Sequence, residues 1–265
     1  MGGAVDDATH PGLPVPAGSA GTVAVMFRSE AAPSSRRPTR LAAITFAVLT
    51  GVVLSSCSNS APEVKPPDPA QRLATAKQRA DSATSVHLLL TSRDVPPDAI
   101  GVLGAEGWGT RAPAFKGTFK ARLKGVEGDA EVVAVDGQVW MKLPFAPAMI
   151  KTDVNTFGAP DPASLFSPTA GITSLLPATI NPTAGESVRE GSEVLSTISG
   201  SLPGQKVRDL LRTGEAGQPF EVRYGLTESG DLRKATVTGP FFPGARSSYD
   251  VILERYGEPV DIRRP

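Results

Sequence analysis

FKGTFKARLK, residues 115–124, alternates without exception. Phe115, Gly117, Phe119, Ala121 and Leu123 fall on one side, and Lys116, Thr118, Lys120, Arg122 and Lys124 on the other. Such a period of two, apolar against charged, belongs to an antiparallel strand with one face in the core. Val132–Val135 and Val139–Leu143 read as two more strands, and Asp136-Gly137 between them is a type I′ hairpin signal. That turn sets Ala134 opposite Val139 and Val132 opposite Met141. A four-residue loop at Gly125–Gly128 would set Leu123 opposite Ala130 and Ala121 opposite Val132. Both turns place Phe115, Phe119, Ala121, Leu123, Ala130, Val132, Ala134, Val139, Met141 and Leu143 on one face. The other face then pairs Lys124 with Asp129 and Arg122 with Glu131, opposite charges across the strands.

The apolar face is short of bulk at Gly117, Ala121, Ala130 and Ala134. Either helices pack closely on these small residues, or they leave an apolar hollow of the kind an acyl chain fills.

A second meander closes the chain. Phe220, Val222, Tyr224 and Leu226 alternate with polar positions, and a turn at Glu228–Asp231 brings Ala235 opposite Tyr224 and Val237 opposite Val222. Tyr249, Val251 and Leu253 continue the pattern, and Val86–Leu90 is a further strand candidate. Asp68-Pro69 predicts a helix start, with Leu73, Ala76, Ala80 and Ala83 at helical spacing over Pro69–Ala83. Gln205–Arg212 predicts a second helix, stopped by Gly214. Between the meanders, Pro144–Pro182 carries seven prolines and two short helical candidates, Asp161–Phe166 and Ile172–Leu176. So long a broken segment reads as a lid or an entrance. Helices on one side of a curved antiparallel sheet make an α+β domain.

Toward the N-terminus, Arg36, Arg37 and Arg40 precede Leu41–Leu54, a 14-residue uncharged apolar run that ends in LSSC. The run is too short to span a bilayer, which takes about 20 residues. Cys57, the only cysteine, stands where a lipoprotein signal places the residue that receives a diacylglycerol. Residues 26–56 therefore read as a lipoprotein signal peptide beginning at Met26, and residues 1–25 as a non-native extension. Arg36-Arg37 leaves both Sec and twin-arginine export open. Residues 57–69 are the acylated cysteine and a proline-rich tether, and 70–265 a single domain on the outer face of a plasma membrane.

Residues 1–56 hold four of the 27 Lys+Arg and three of the 27 Asp+Glu, so the remainder is near neutral and offers no basic surface to nucleic acid. His87, the one histidine after that segment, sits inside an apolar strand and reads as structural. No nucleophile elbow, zinc helix or phosphate-binding glycine loop occurs. We expect no enzyme, cofactor or metal.

VVAVDGQVWMKL (132–143), DPASLFSPTAGITSLL (161–176) and YDVILERYGEPV (249–260), in this order behind the cysteine signal, resemble the actinobacterial LppX/LprAFG lipoprotein family from about Leu41 to the C-terminus. The resemblance implies a half-barrel: a curved antiparallel sheet with helices over its concave face and a large apolar cavity between. It implies lipid carriage across the cell envelope, from the plasma membrane outward. The cargo would be a triacylated glycolipid, a phthiocerol-type lipid or triacylglycerol, and the partner in one branch a major-facilitator exporter. Phe115, Phe119, Ala121, Leu123, Val132, Ala134, Val139 and Met141 would line the cavity. The rival reading is an anchored accessory protein without cargo, docking on an exporter or sensor kinase through Lys116, Lys120, Arg122 and Lys124.

Overall fold

In the computed structural model the described residues are 67–265, apart from 124 and 158. The signal peptide, Cys57 and most of the tether lie outside them. Helix α1 (Pro69–Ser82) leads into β1 (Ser85–Arg93), β2 (Gly101–Thr110), β3 (Ala114–Leu123), β4 (Val126–Val135), β5 (Gln138–Lys142) and β6 (Ile150–Thr152). Three short 3-10 helices follow at Val154–Phe157, Pro162–Phe166 and Ile172–Leu175. Then come β7 (Ile180–Ala184), β8 (Val188–Glu190), β9 (Glu193–Leu202), helix α2 (Gly204–Leu211), β10 (Phe220–Leu226), β11 (Leu232–Phe242) and β12 (Ala245–Glu254).

All strands join one open, curved antiparallel sheet in the order β6-β5-β4-β3-β2-β1-β12-β11-β10-β9-β7, with β8 beside β9. The two ends of the chain's strand series meet at β1 and β12, so the first and last meanders form a single surface. Helices α1 and α2 and the 3-10 helix at 172–175 cover the concave side of β9–β12, β1 and β2. The core there holds Leu73, Ala76, Leu175, Leu176, Val207 and Leu210 against Ile198, Leu202, Phe220, Tyr224 and Leu253.

Local sequence explains most of these elements. Asp136 and Gly137 take φ of 52° and 67°, as a type I′ turn requires, and Ala134–Val139 and Val132–Met141 pair as expected. Val222–Val237 and Tyr224–Ala235 also pair as expected. Asp68 precedes α1 and Pro69 opens it, but the cap is a backbone bond from Arg72 N to Asp68 O (2.9 Å), not the aspartate side chain. Helix α2 ends at Arg212 in the left-handed region (φ 60°), two residues before Gly214.

One register differs. Leu123 pairs with Val126, so the β3–β4 hairpin turns within two residues, with Gly125 at φ 78°. Ala130 then faces Phe119, Val132 faces Gly117 and Ala134 faces Phe115. Arg122 lies opposite Glu127 and not Glu131, and Asp129, expected opposite Lys124, lies opposite Lys120. The slip is by an even number of residues, so every side chain keeps its face. The tighter turn wins because Gly125 accepts positive φ and lengthens the paired strands at both ends.

An ion pair fastens α1 to the β10–β11 turn: Arg79 Nε donates to Asp231 Oδ1 at 2.6 Å. This contact, with help from Ser229 and Arg233, holds the Asp231 carboxyl below its ordinary range. A depressed folded value means the stabilisation is complete above the unfolded value, about 3.9, and disappears as pH falls through the folded one. Glu127 and Glu258 are lowered likewise, by Arg122 and Arg255, so acid weakens several sites together. Amide exchange of α1 isolates the local effect. In the wild type its protection falls on acidification below the ordinary carboxylate range. In Asp231→Asn it is already lower at neutral pH and loses that acid step.

Candidate functional site

The concave face of β3–β5 divides into a covered and an uncovered half. At the end marked by the Asp136-Gly137 turn, Phe115, Ala130, Val132, Ala134 and Val139 are buried with Ala163, from the 3-10 helix Pro162–Phe166. The Asp161 side chain caps that helix by accepting from Ala163 N at 2.9 Å, and Pro162 opens it, as DPAS suggests. Here the small residues are accounted for. The Phe115 ring lies over Gly107 and Gly117, which face each other across β2 and β3. A Cβ on either glycine would come within 2.8 Å of that ring. Phe166 lies over Gly109 in the same way and stacks on Phe115, centroids 5.8 Å apart and planes 14° from parallel. Phe119 tilts against Phe115 from the other side at 5.3 Å.

Beyond Phe119, and out toward the β5–β6 margin, the cover stops. Ala121 and Met141 are half-buried, whereas Leu123, Val126 and Ile150 are 45%, 71% and 60% exposed, and Gly128 is open to solvent. They share the concave face in two places: Ala121 pairs with Gly128 and Leu123 with Val126 beyond Phe119, toward the β3–β4 turn, whereas Met141 pairs with Val132 and Ile150, level with Gly117 on the β5–β6 margin. Together with Phe119 they form an apolar trough, open at the edge of the sheet where β3 turns into β4. The eight residues expected to line one cavity therefore split. Phe115, Val132, Ala134 and Val139 are in the covered half; Phe119, Ala121, Leu123 and Met141 are in the trough.

The large enclosed cavity expected is not seen among the described residues. The pocket between α1, the start of β1, the end of β2 and the 165–173 segment holds about 40 Å³, lined by Val86, Gly109, Leu165, Phe166, Ile172 and Tyr256 among others. A water molecule needs about 10–15 Å³ of such space, so the pocket has room for a few waters and not for an acyl chain. The proline-broken middle segment supplies the filling. Besides Ala163 and Phe166 it buries Leu175 and Leu176 in the main core, and Thr179 Oγ1 lies 2.9 Å from the Tyr224 hydroxyl. Burial pushes that phenol up to about 12. This segment is thus the roof of the sheet as well as a connection.

The outer face of the same strands is charged, but largely self-neutralised. Glu127 meets Arg122 at 2.5 Å and Lys120 at 3.0 Å, and Arg122 also donates to Pro96 O at 2.8 Å. Of the four cations expected to form a docking stripe, two are committed to one carboxylate, Lys116 is exposed and Lys124 lies outside the described residues. His87 lies on this outer face, with its ring 5.1 Å from Trp108. Its Nδ1 is 3.3 Å from Glu254 and its Nε2 3.7 Å from Glu106. No group of three or more His, Cys, Asp or Glu side chains able to hold a metal is found among the described residues. None of their helices is long and apolar enough to cross a membrane.

Sequence reasoning missed β2, which supplies the floor of the covered half. Gly101, Gly104, Gly107 and Gly109 broke the alternation by which strands are recognised. The signal was present in another form, since Gly107 and Gly109, two positions apart beside a phenylalanine strand, mark a surface on which rings lie flat.

Comparison with known proteins agrees with this geometry. The family model of the LppX_LprAFG lipoproteins matches residues 68–262. The lipoarabinomannan carrier protein LprG of Mycobacterium tuberculosis (strain H37Rv) is 26% identical over 236 residues, covering 85% of this chain and 95% of that protein. The crystal structure of LprF from Mycobacterium bovis superposes with a TM-score of 0.64 at 15% identity, over 76% of this chain and 98% of that one. That of LppX from Mycobacterium tuberculosis gives 0.56 at 15% identity, over 75% and 100%. At that identity the two structures speak for the fold, an open curved sheet under helices, while the family match spans all but the last three and the first of the described residues. The chain belongs to the LppX_LprAFG lipoprotein family.

Proposed function

We propose that this protein carries an acylated lipid or glycolipid, seating acyl chains in the trough of Phe119, Ala121, Leu123, Val126, Met141 and Ile150. The observation that carries this reading is the uncovered apolar half of a sheet whose other half is close-packed. A soluble domain seldom leaves a concave apolar face open to water unless something occupies it. Each methylene removed from water contributes about 0.8 kcal/mol, so ten seated methylenes contribute about 8 kcal/mol toward leaving a bilayer. A second chain would need the covered half. There the Pro162–Phe166 helix must lift, taking Phe166 off Gly109 and exposing the glycine floor.

No side chain in the trough is charged, so the headgroup stays outside, beside the middle segment. The name of the relative LprG supports a glycolipid over a neutral wax or triacylglycerol. Acylation of Cys57 would hold the protein to the plasma membrane, and the carriage would run from there to the outer envelope, beside an exporter of the major-facilitator class. No bond is made or broken in this scheme.

Native mass spectrometry of the protein purified from a mycobacterial host tests the proposal. The expected spectrum shows a non-covalent adduct of lipid mass that collisional activation strips off, separate from any covalent acyl mass on Cys57. A protein that leaves the same host bare, and stays bare after incubation with glycolipid vesicles, has no cargo.

A further inference from the structure

Between Lys142 and Lys151 the chain reads LPFAPAMI, eight residues without a charged or hydrogen-bonding side chain. They carry the chain from β5 to β6, drawn into a turn by a backbone bond from Ala146 N to Leu143 O (3.0 Å). Leu143 and Ile150 are more than half exposed, and Phe145 stands fully in solvent at φ 67°. Ile100, before β2, and Leu123 and Val126, around the β3–β4 turn, lie at the same end of the sheet, each 45% exposed or more. Surface connections are normally polar, because their backbone and side chains must be satisfied by water. This one offers water only apolar side chains beyond its backbone.

We propose that this edge is a membrane-docking surface: the 143–150 loop enters the interfacial layer of a bilayer containing anionic lipid, and Lys142 and Lys151 flank it at headgroup level. Three observations select a bilayer over a protein. The apolar residues come from three separate turns and make a protruding edge, whereas stable protein interfaces are broad and bury about 800 Å² on each partner. The loop has no polar side chain with which to specify a partner, where protein interfaces carry about one hydrogen bond per 100–200 Å². Its two flanking cations are lysines, whose long stems lie along apolar surface while the ammonium stays in the polar layer. Lys151 is exposed, and Lys142 is 3.6 Å from Glu131, a contact readily exchanged for a lipid phosphate. The trough opens on this same edge, so docking would let a chain pass between bilayer and protein without crossing water. The docking goes beyond the carrier reading and stands whether or not the trough is loaded.

The test uses the full chain with Cys57→Ser, which removes both the acyl anchor and the competing thiol. A polarity-sensitive fluorophore is placed at Phe145→Cys or, as control, at Ser229→Cys in the β10–β11 turn at the opposite end of the sheet. Vesicles of phosphatidylcholine, with or without phosphatidylglycerol, carry nitroxide-labelled lipid. We expect the label at position 145 to shift to the blue, to be quenched by nitroxide lipid several-fold more than the label at 229, and to be shielded from iodide. Phosphatidylglycerol should strengthen binding, and Lys142→Ser and Lys151→Ser should each weaken that anionic component about fivefold. Equal exposure of both labels to iodide, with no quenching from the lipid, overturns the proposal. So does shielding of position 145 that needs no vesicles and grows with protein concentration, which would make the edge a contact between copies. Cargo is read separately, from native mass spectra of the same samples. A bare protein that docks, or a loaded one that does not, therefore tells the two proposals apart.

Discussion

Gly128→Trp is expected to reduce bound lipid by tenfold or more while leaving the melting temperature within a few degrees of wild type. Gly128 is on the concave face of β4, opposite Ala121 and in the middle of the trough. A Cβ built there meets no heavy atom within 4 Å, and its backbone is not in the left-handed region. The indole therefore enters open space without displacing any packed side chain. Replacing a strand glycine also removes backbone freedom from the unfolded chain, worth about 0.5–1 kcal/mol in favour of folding. What the ring takes away is the floor between Phe119, Leu123 and Val126 on which a chain would lie. Losing ten methylene contacts forfeits about 8 kcal/mol, and even two of them account for a tenfold change. Asp129→Trp is the matched control. One residue along the strand it points to the charged outer face, so it should fold and load as the wild type does. Equal loading in the two variants, both folded, would place the lipid elsewhere. Ala134 is the wrong site for such a plug, although it lies on the same face. It is fully buried facing Phe115, so tryptophan there overpacks the covered half and costs about 1–3 kcal/mol or more before any question of cargo arises.

The contrast between Gly128 and Ala134 shows where sequence reasoning reaches and where it stops. Period-two alternation assigned Ala134 to the apolar face, and that assignment survived the error in the β3–β4 turn because the slip was even. Gly128 was read as part of the loop, and only the tighter turn brings it onto the same face. The registers at Asp136-Gly137 and between β10 and β11 were legible, since turn residues and apolar positions specify them locally. The position of the roof was not. Whether small residues make a hollow or a floor depends on what lies above them, and that is Phe166, some fifty residues away in sequence from Phe115 and Gly117. Phe166 sits in a proline-broken segment whose short 3-10 helices have no apolar period of their own. The glycine-rich β2 was hidden for a related reason. Its residues were selected for the rings that lie on them, so the strand shows no hydrophobic alternation to read. The open trough follows from the shortness of the roof, a property of the 162–166 helix and not of the strands beneath it.

Phe115→Ala and Phe166→Ala should separate wall from roof. Phe115 is 1% exposed and sits on Gly107 and Gly117 between two other rings. Truncation leaves a void above two residues that have no side chain with which to close it. The cost should fall in the upper range for a buried phenylalanine, about 3–5 kcal/mol, or about 6–20 °C in melting temperature for a domain of this size. Phe166 is half-buried, on a short helix joined to the sheet by few residues. Its truncation should cost less, about 1–3 kcal/mol, part of it the stacking with Phe115. The double variant should therefore be less unstable than the two losses added, by about 0.5–1.5 kcal/mol, because the shared stacking is lost only once. The functional readout runs the other way. With Phe166 gone, Gly109 is uncovered and the trough extends beneath the roof, so the protein should take up a lipid with longer or additional chains, visible as a heavier non-covalent adduct. Phe115→Ala should give no such gain, since its void stays enclosed by the folded roof. If Phe166→Ala instead destabilises as much as Phe115→Ala and leaves the adduct unchanged, the 162–166 helix is a fixed part of the core. The carrier would then have only its open half, room for a single chain.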